Sequence, residues 1–447
     1  MNNGTTLIDN ELDNEKTKSS PSLDSNSIFK KKNKDTLDDI VEEDPRLDTI
    51  EGWIIVMASF MSLFIVVGMA FSIGVFIQHY ADVLFKDQAP LSTLTFIGTL
   101  SSSIQNVLAI FTGKLADKIG YRKAIFIGAA IISLGLLLAS FSTQVWHLFL
   151  TQGVMVGIGS AIAFIPAISA PAQWFKKYTG LATGICVAGA GIGGLTLSPI
   201  LQAIISNLGF RWALRVEAIV SVIVLPASAF FIKERVKTSN KGSWFNFKKF
   251  KDSRFLSLFL GGFLCSFGYL VPFLLMAKYA RSIDLSESQG ALLIGLLNGG
   301  SAVGRIVLGS LGDRFGKLNI LFVCIALTSF FCYFIWMFAF SFGALLVFNI
   351  LYGVSSGGFV SMLPAVTTQL FGVEGIASIN GLFYFSTGIP NLVGTPIASA
   401  ILSASSPDPN KPNYTLVIIY AGTSALLGAA AFFVLKLMVN RNIFSRV

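Results

Sequence analysis

GKLADKIGYRK occupies residues 113–123, and GSLGDRFGK occupies residues 309–317. The two stretches share the pattern G-x-L-[AG]-D-x-x-G at an offset of 196 residues. The first contains Gly113, Asp117, Gly120 and Arg122, and the second Gly309, Asp313 and Gly316. The glycines permit a tight turn between antiparallel helices, and the aspartate can cap a helix N-terminus or pair with a nearby arginine. A single copy is a weak signal. Two copies, each placed after the second apolar segment of a set of six, indicate an internal repeat.

The surrounding composition is that of an integral membrane protein. Of 447 residues, 53% are hydrophobic and 13% charged, whereas soluble domains carry about 25% charged residues. Forty phenylalanines and 42 glycines point the same way, since glycine lets membrane helices approach closely. Twelve apolar spans are expected, near 52–79, 91–112, 123–142, 146–170, 181–205, 211–232, 255–277, 289–310, 318–340, 343–366, 376–402 and 414–438. The fold class is therefore all-α and membrane-embedded. The chain divides into a disordered N-tail (1–48), a six-helix bundle (49–232), a basic central loop (233–254), a second six-helix bundle (255–439) and a short C-tail (440–447).

Lysine and arginine set the expected orientation. They concentrate in loops on one side, including Lys114, Lys118, Arg122, Lys123, Arg314 and Lys317, and the segment 233–254 adds eight more. By the positive-inside rule both termini lie in the cytoplasm. This distribution accounts for the net charge of +9 without nucleic acid as a partner. KKKNK at 30–34 reads as a solvated stretch or a lipid-contacting cluster, and Asn413-Tyr-Thr is an external glycosylation sequon. The four cysteines lie in apolar segments without metal-type spacing, and the two histidines have no HExxH context. No metal, cofactor, ATP-binding loop or catalytic constellation is expected, so the chain does not read as an enzyme.

The duplicated pattern resembles the signature loop of the major facilitator superfamily, which lies between helices 2 and 3. A narrower resemblance, over 51–438, is to the monocarboxylate porter family and its fungal branch, which includes riboflavin carrier-like members. It rests on EGWIIV (51–56), GVFIQHY (74–80), the stretch from Pro166 through QWFKKYTGLATGICVAGAGIGG, and EGIASINGLFYFSTGIPNLVGTPIASAIL (374–402). The resemblance implies twelve transmembrane helices in two six-helix bundles related by pseudo-two-fold symmetry. It also implies a latch formed by the duplicated loops on the cytoplasmic side, and alternating access. Gly184, Gly189 and Gly193 are expected to let helix 5 pack closely as the halves move. The family location is the plasma membrane, with a vacuolar membrane as the alternative.

Arg305 stands well inside the eighth apolar span. A guanidinium there costs about 2.5–3.5 kcal/mol on insertion scales. Asn298, Ser301 and Arg305 follow i, i+3, i+7 spacing and form a polar stripe. Further polar or aromatic positions are Asn106 with Ser102 and Gln105 on helix 2, Tyr269 and Phe273 on helix 7, and Tyr384 and Asn391 with Asn380 and Thr387 on helix 11. Such stripes face protein or a watery cavity. In the family an arginine at the position of Arg305 binds the substrate anion. A carboxylate would fit its bidentate fork. Two family features of proton coupling are absent: Val75 stands where animal members have a lysine, and Ser301 where they have an aspartate. Glu217 is the nearest alternative acid, with an ion pair to Arg211 or Arg215 as its simpler role. The expected partners are a small-molecule substrate, the bilayer and, with coupling left open, protons. Three functions follow: a carrier of a small monocarboxylate-like anion around Arg305, an uncoupled carrier of riboflavin or another aromatic metabolite using Phe71, Tyr269, Phe273 and Tyr384, or a nutrient sensor on a transporter fold.

Overall fold

The computed structural model describes residues 47–86, 88–236, 251–406 and 412–442. The expected disorder of the N-tail, the KKKNK cluster, most of the central loop and the last five residues lie outside the described residues. Among the described residues, twelve helical rods follow one another. They are α1 (Ile50–Leu84), α2 (Leu91–Val107 and Ala109–Ile119), α3 (Tyr121–Ala139), α4 (Val145–Gln173), α5 (Thr179–Leu208) and α6 (Phe210–Phe231). The second set is α7 (Ser253–Ser282), α8 (Glu287–Phe315), α9 (Lys317–Phe338), α10 (Phe342–Phe371), α11 (Ile376–Ser405) and α12 (Thr415–Val439).

Among the described residues, ten of these rods are long and apolar enough to cross a membrane, and α2 is an eleventh if its two pieces, bent by 52°, form one span. The twelfth, α11, has 30 helical residues but is interrupted by Asn380, Thr387, Asn391, Pro390 and Pro396. Its place between helices, with Asn380 and Tyr384 buried, explains why it tolerates that polarity. Large apolar side chains such as Phe141, Phe230, Phe334 and Phe340 are exposed on the outside, where acyl chains would cover them.

The duplicated stretches differ from the expected loops. Both are helical almost to their ends, α2 running to Ile119 and α8 to Phe315. The turn is a single glycine in each, Gly120 at φ +93° and Gly316 at φ +99°. A side chain at either φ would be strained, so glycine stops the helix and starts the next within one residue.

The first six helices share one buried core and the last six are built around two others. Within the first half α1 packs along α5, and α3 along α4 and α6; within the second α8 packs on α10, and α7 and α9 on α12. The halves meet chiefly through α5 against α8 and α2 against α11. These pairs exchange under a two-fold that maps α2 onto α8 and α5 onto α11.

Candidate functional site

Small residues set the distance between the halves. A Cβ on Gly113 would strike the Ala377 carbonyl, and one on Gly309 would strike the Gly180 carbonyl. Four residues further, Gly381 lies against the Ala109 carbonyl and Gly184 against the Arg305 carbonyl. The repeat thus extends to matched backbone contacts, with Ala109 and Arg305 as counterparts. Only the second half carries a charge at that point. Gly189 and Gly193, by contrast, press on the Phe60 and Phe64 carbonyls of α1 and close α5 onto its own half.

The aspartates of the repeat complete this seam. Asp313 at the end of α8 accepts hydrogen bonds from the backbone N–H groups of Gly180 and Leu181, both at 2.8 Å. Asp117 accepts from the Ser378 N–H at 2.9 Å and from the Ser378 hydroxyl. Each carboxylate caps the first turn of a helix in the opposite half, where unpaired N–H groups and the helix dipole favour negative charge. Arg122 pairs with neither. Its Nε and Nη2 donate to the Ala229 and Phe230 carbonyls at 3.2 and 2.5 Å, capping the C-terminus of α6 within its own half. The Asn380 amide adds a cross-half bond to Ser169 Oγ at 2.8 Å. Beyond Ala302 and Gly388 the seam ends. Two turns further along α8, on the side of Ala302, Gly295 has nothing within 4 Å of where a Cβ would lie, nor has Gly299 beside it. The halves are closed at the end bearing the aspartates and parted at the other.

Arg305 sits where closure gives way to the gap. It is 4% exposed. Its Nη1 donates to the Val187 carbonyl of α5 at 2.8 Å, and its Nε has no partner. Gly191 makes room, since a Cβ there would lie 3.6 Å from Nη1. The Tyr269 phenol is within hydrogen-bonding reach of the guanidinium, and the Tyr384 phenol within electrostatic reach. The Tyr384 hydroxyl has no partner, while its ring packs edge-on against Phe164 with centroids 4.8 Å apart. Tyr269 continues into an aromatic wall, 5.6 Å from Phe273 and 5.8 Å from Phe359, with Tyr352 6.2 Å from Phe273. A cation with an unused donor, an unused phenol and an aromatic wall can hold a flat or carboxylated anion.

The other expected site residues are distributed around this centre. Asn298 lies on the α5-facing side of α8, toward the gap, and its amide donates to the Ile294 carbonyl at 3.0 Å. Ser301 is buried with an unpartnered hydroxyl, but Gly353 and Gly357 of α10 press on its backbone, so it belongs to the α8–α10 contact. Asn391 has a buried, unpartnered Oδ1 on α11. Asn106 packs against Gly388 at the break of α2. Phe71 is 45% exposed and lies on the α1 side of α5, against Gly194. The Val187 carbonyl and Phe164 were not expected. A backbone acceptor leaves no trace in residue type; the glycine-rich run of α5 was the sole hint that a neighbour approaches there.

A family model described as Major Facilitator Superfamily matches residues 52–297 and 258–442. The chain is 29% identical to MFS transporter asaE of Aspergillus flavus over 394 residues, 88% of each protein. It is 27% identical to Agnestins efflux protein AgnL12 of Paecilomyces divaricatus, over 87% of this chain and 88% of that one. It is also 27% identical to Riboflavin transporter MCH5 of Saccharomyces cerevisiae, over 86% of this chain and 78% of that one.

Proposed function

Since the chain belongs to the Major Facilitator Superfamily and is a multi-pass membrane transporter, we infer that it carries a small organic anion, monocarboxylate-like in its charged group, through a central site at Arg305. The observation that carries this reading is the buried guanidinium with one backbone acceptor and an unused Nε. A buried cation without a counter-ion is costly, and a substrate carboxylate removes that cost. The halves 49–232 and 255–439 rock about this point while 233–254 links them, both termini being cytoplasmic in a plasma-membrane setting. The aspartate-bearing end is then the cytoplasmic gate, and the conformation described faces outward.

A second reading rests on the wall of Tyr269, Phe273, Tyr352 and Phe359, which suits an aromatic ring and accords with a riboflavin transporter among the relatives. Uptake of labelled pyruvate and of labelled riboflavin, in yeast lacking their own carriers, separates the two. Wild type is compared with Arg305→Ala at matched surface expression. Pyruvate uptake lost in the mutant supports the anion reading. Riboflavin uptake that survives Arg305→Ala and fails on loss of Tyr269 supports the aromatic one. Arg305→Ala with unchanged pyruvate flux removes Arg305 from the site.

A further inference from the structure

Glu217 lies near the start of α6, 4% exposed, with no partner for its Oε1. The expected ion pair on its own helix does not form. Arg211 lies 5.8 Å from the Phe210 ring centroid. Arg215 lies over Phe141 and Trp212 at 5.1 and 5.3 Å and donates to Ser140 Oγ at 3.3 Å. The carboxyl instead borders a cavity of about 20 Å³ between α1, α2, α3, α4 and α6. Its polar lining is Gln152, Ser101 and Ser160, and the remainder is apolar, including Met69 and Ile73. Space of this size and polarity suits a single water. Gln152 is presented by a π-helical stretch of α4, Phe149–Met155, a distortion that recurs at functional sites.

No cation faces this carboxyl among the described residues. From α1, Tyr80 approaches, its hydroxyl donating to Gln152 Oε1 at 3.0 Å. His79 turns to the Phe210 ring, 5.6 Å away, and Asp82 is exposed. From α4, His147 packs edge-on against Trp146, with ring centroids 4.2 Å apart. The cavity-facing residues of α3 are Ile132 and Leu136, and α5 has no charged residue along Thr179–Leu208. An ionised carboxylate sealed here would cost several kcal/mol, whereas the neutral acid can share Gln152 or a water. Glu217 also lies in the first turns of α6, toward the end opposite the aspartates of the repeat.

We propose that Glu217 is a proton-binding site of the transport cycle, a role that rests on the carrier reading above. The carboxyl holds a proton in the conformation described. On closure of this end and opening of the other, its O–H bond breaks, water takes the proton, and one proton has crossed with the substrate, offsetting the charge of a monoanion. This places coupling in the first half and anion recognition in the second.

Infrared difference spectra of the full chain in liposomes, taken between acidic and alkaline buffer, test the site without a substrate. Wild type should show a protonated-carboxyl C=O band that fades as pH rises. The band should be absent in Glu217→Gln and displaced in Glu217→Asp. A band unchanged in Glu217→Gln, or unresponsive to pH, overturns the proposal. In transport, Glu217→Gln should keep exchange of labelled for unlabelled pyruvate or riboflavin and lose stimulation by an inward proton gradient. Retained stimulation overturns it. If wild type moves neither probe, the carrier reading for those solutes fails, and the infrared band alone decides the proton site.

Discussion

Replacing Asp313 by alanine removes both hydrogen bonds that tie the first turn of α5 to α8. Each is 2.8 Å long, and the carboxylate that accepts them is 8% exposed. Bonds to a charged group contribute about 1.5–3 kcal/mol apiece. The lower figure serves as a floor, because the carboxylate and Lys317, 3.9 Å away, are only 8% and 14% exposed and little water stands ready to replace what is lost. The closed arrangement then loses about 3 kcal/mol, and at about 1.4 kcal/mol per tenfold its population relative to the alternative falls roughly 100-fold. Asp313→Asn retains an acceptor without the charge and should shift it by about fivefold, as expected for a helix-dipole interaction of about 1 kcal/mol. Spin labels at Lys177 and Arg314, exposed on opposite halves of the closed end, report the change by pulsed dipolar spectroscopy. The native cysteines are buried and need not be removed. Wild type should give one dominant short distance, and Asp313→Ala a second, longer one in excess. A change of less than about fivefold would refute the view that this cap holds the end shut, since it would correspond to under about 1 kcal/mol.

Other outcomes follow from the same geometry. Arg305→Lys keeps the charge but loses the planar fork, so KM for a transported carboxylate should rise about tenfold or more in uptake assays while surface expression is retained. Gly180→Val should hold the label pair at the longer distance and stop transport, because its side chain would meet the Gly309 carbonyl. Tyr384→Phe removes a hydroxyl with no partner, so thermal unfolding should show stability unchanged or raised by about 1 kcal/mol, with substrate affinity reduced. Asn380→Ala should give a smaller lengthening of the label distance than Asp313→Ala, since it loses one neutral bond to Ser169 worth about 1 kcal/mol.

The repeat was legible because its chemistry is local: glycine, aspartate and glycine recur at one spacing, and the turn and cap need those types. The helical rods were legible from their apolar runs. Arg305 stood out because a charge in an apolar run has few explanations. What the sequence hid depends on neighbours. Asn298, Ser301 and Arg305 share one face of α8, and only the glycines of α10 show that Ser301 stands at the edge packed against them. Phe71 looked central by span and residue type, yet α5 comes between α1 and α8. Glu217 was assigned to arginines two and six positions away, but residues at those separations point to different faces of a helix. Cap partners were beyond reach altogether, since Asp117 and Ser378 are 261 residues apart.

The exchanged caps bear on how such a chain could arise. Each six-helix half supplies the carboxylate that the other half's helix requires, and presents a bare helix start for the other's carboxylate. A half of this kind is self-complementary: two identical copies meeting about a two-fold axis would satisfy both needs at once. The covalent link between α6 and α7 therefore joins what the surfaces already specify as a dimer. Once joined, the copies were free to diverge, and Ala109 opposite Arg305 records one such divergence, in which a symmetric seam acquired a single charged position.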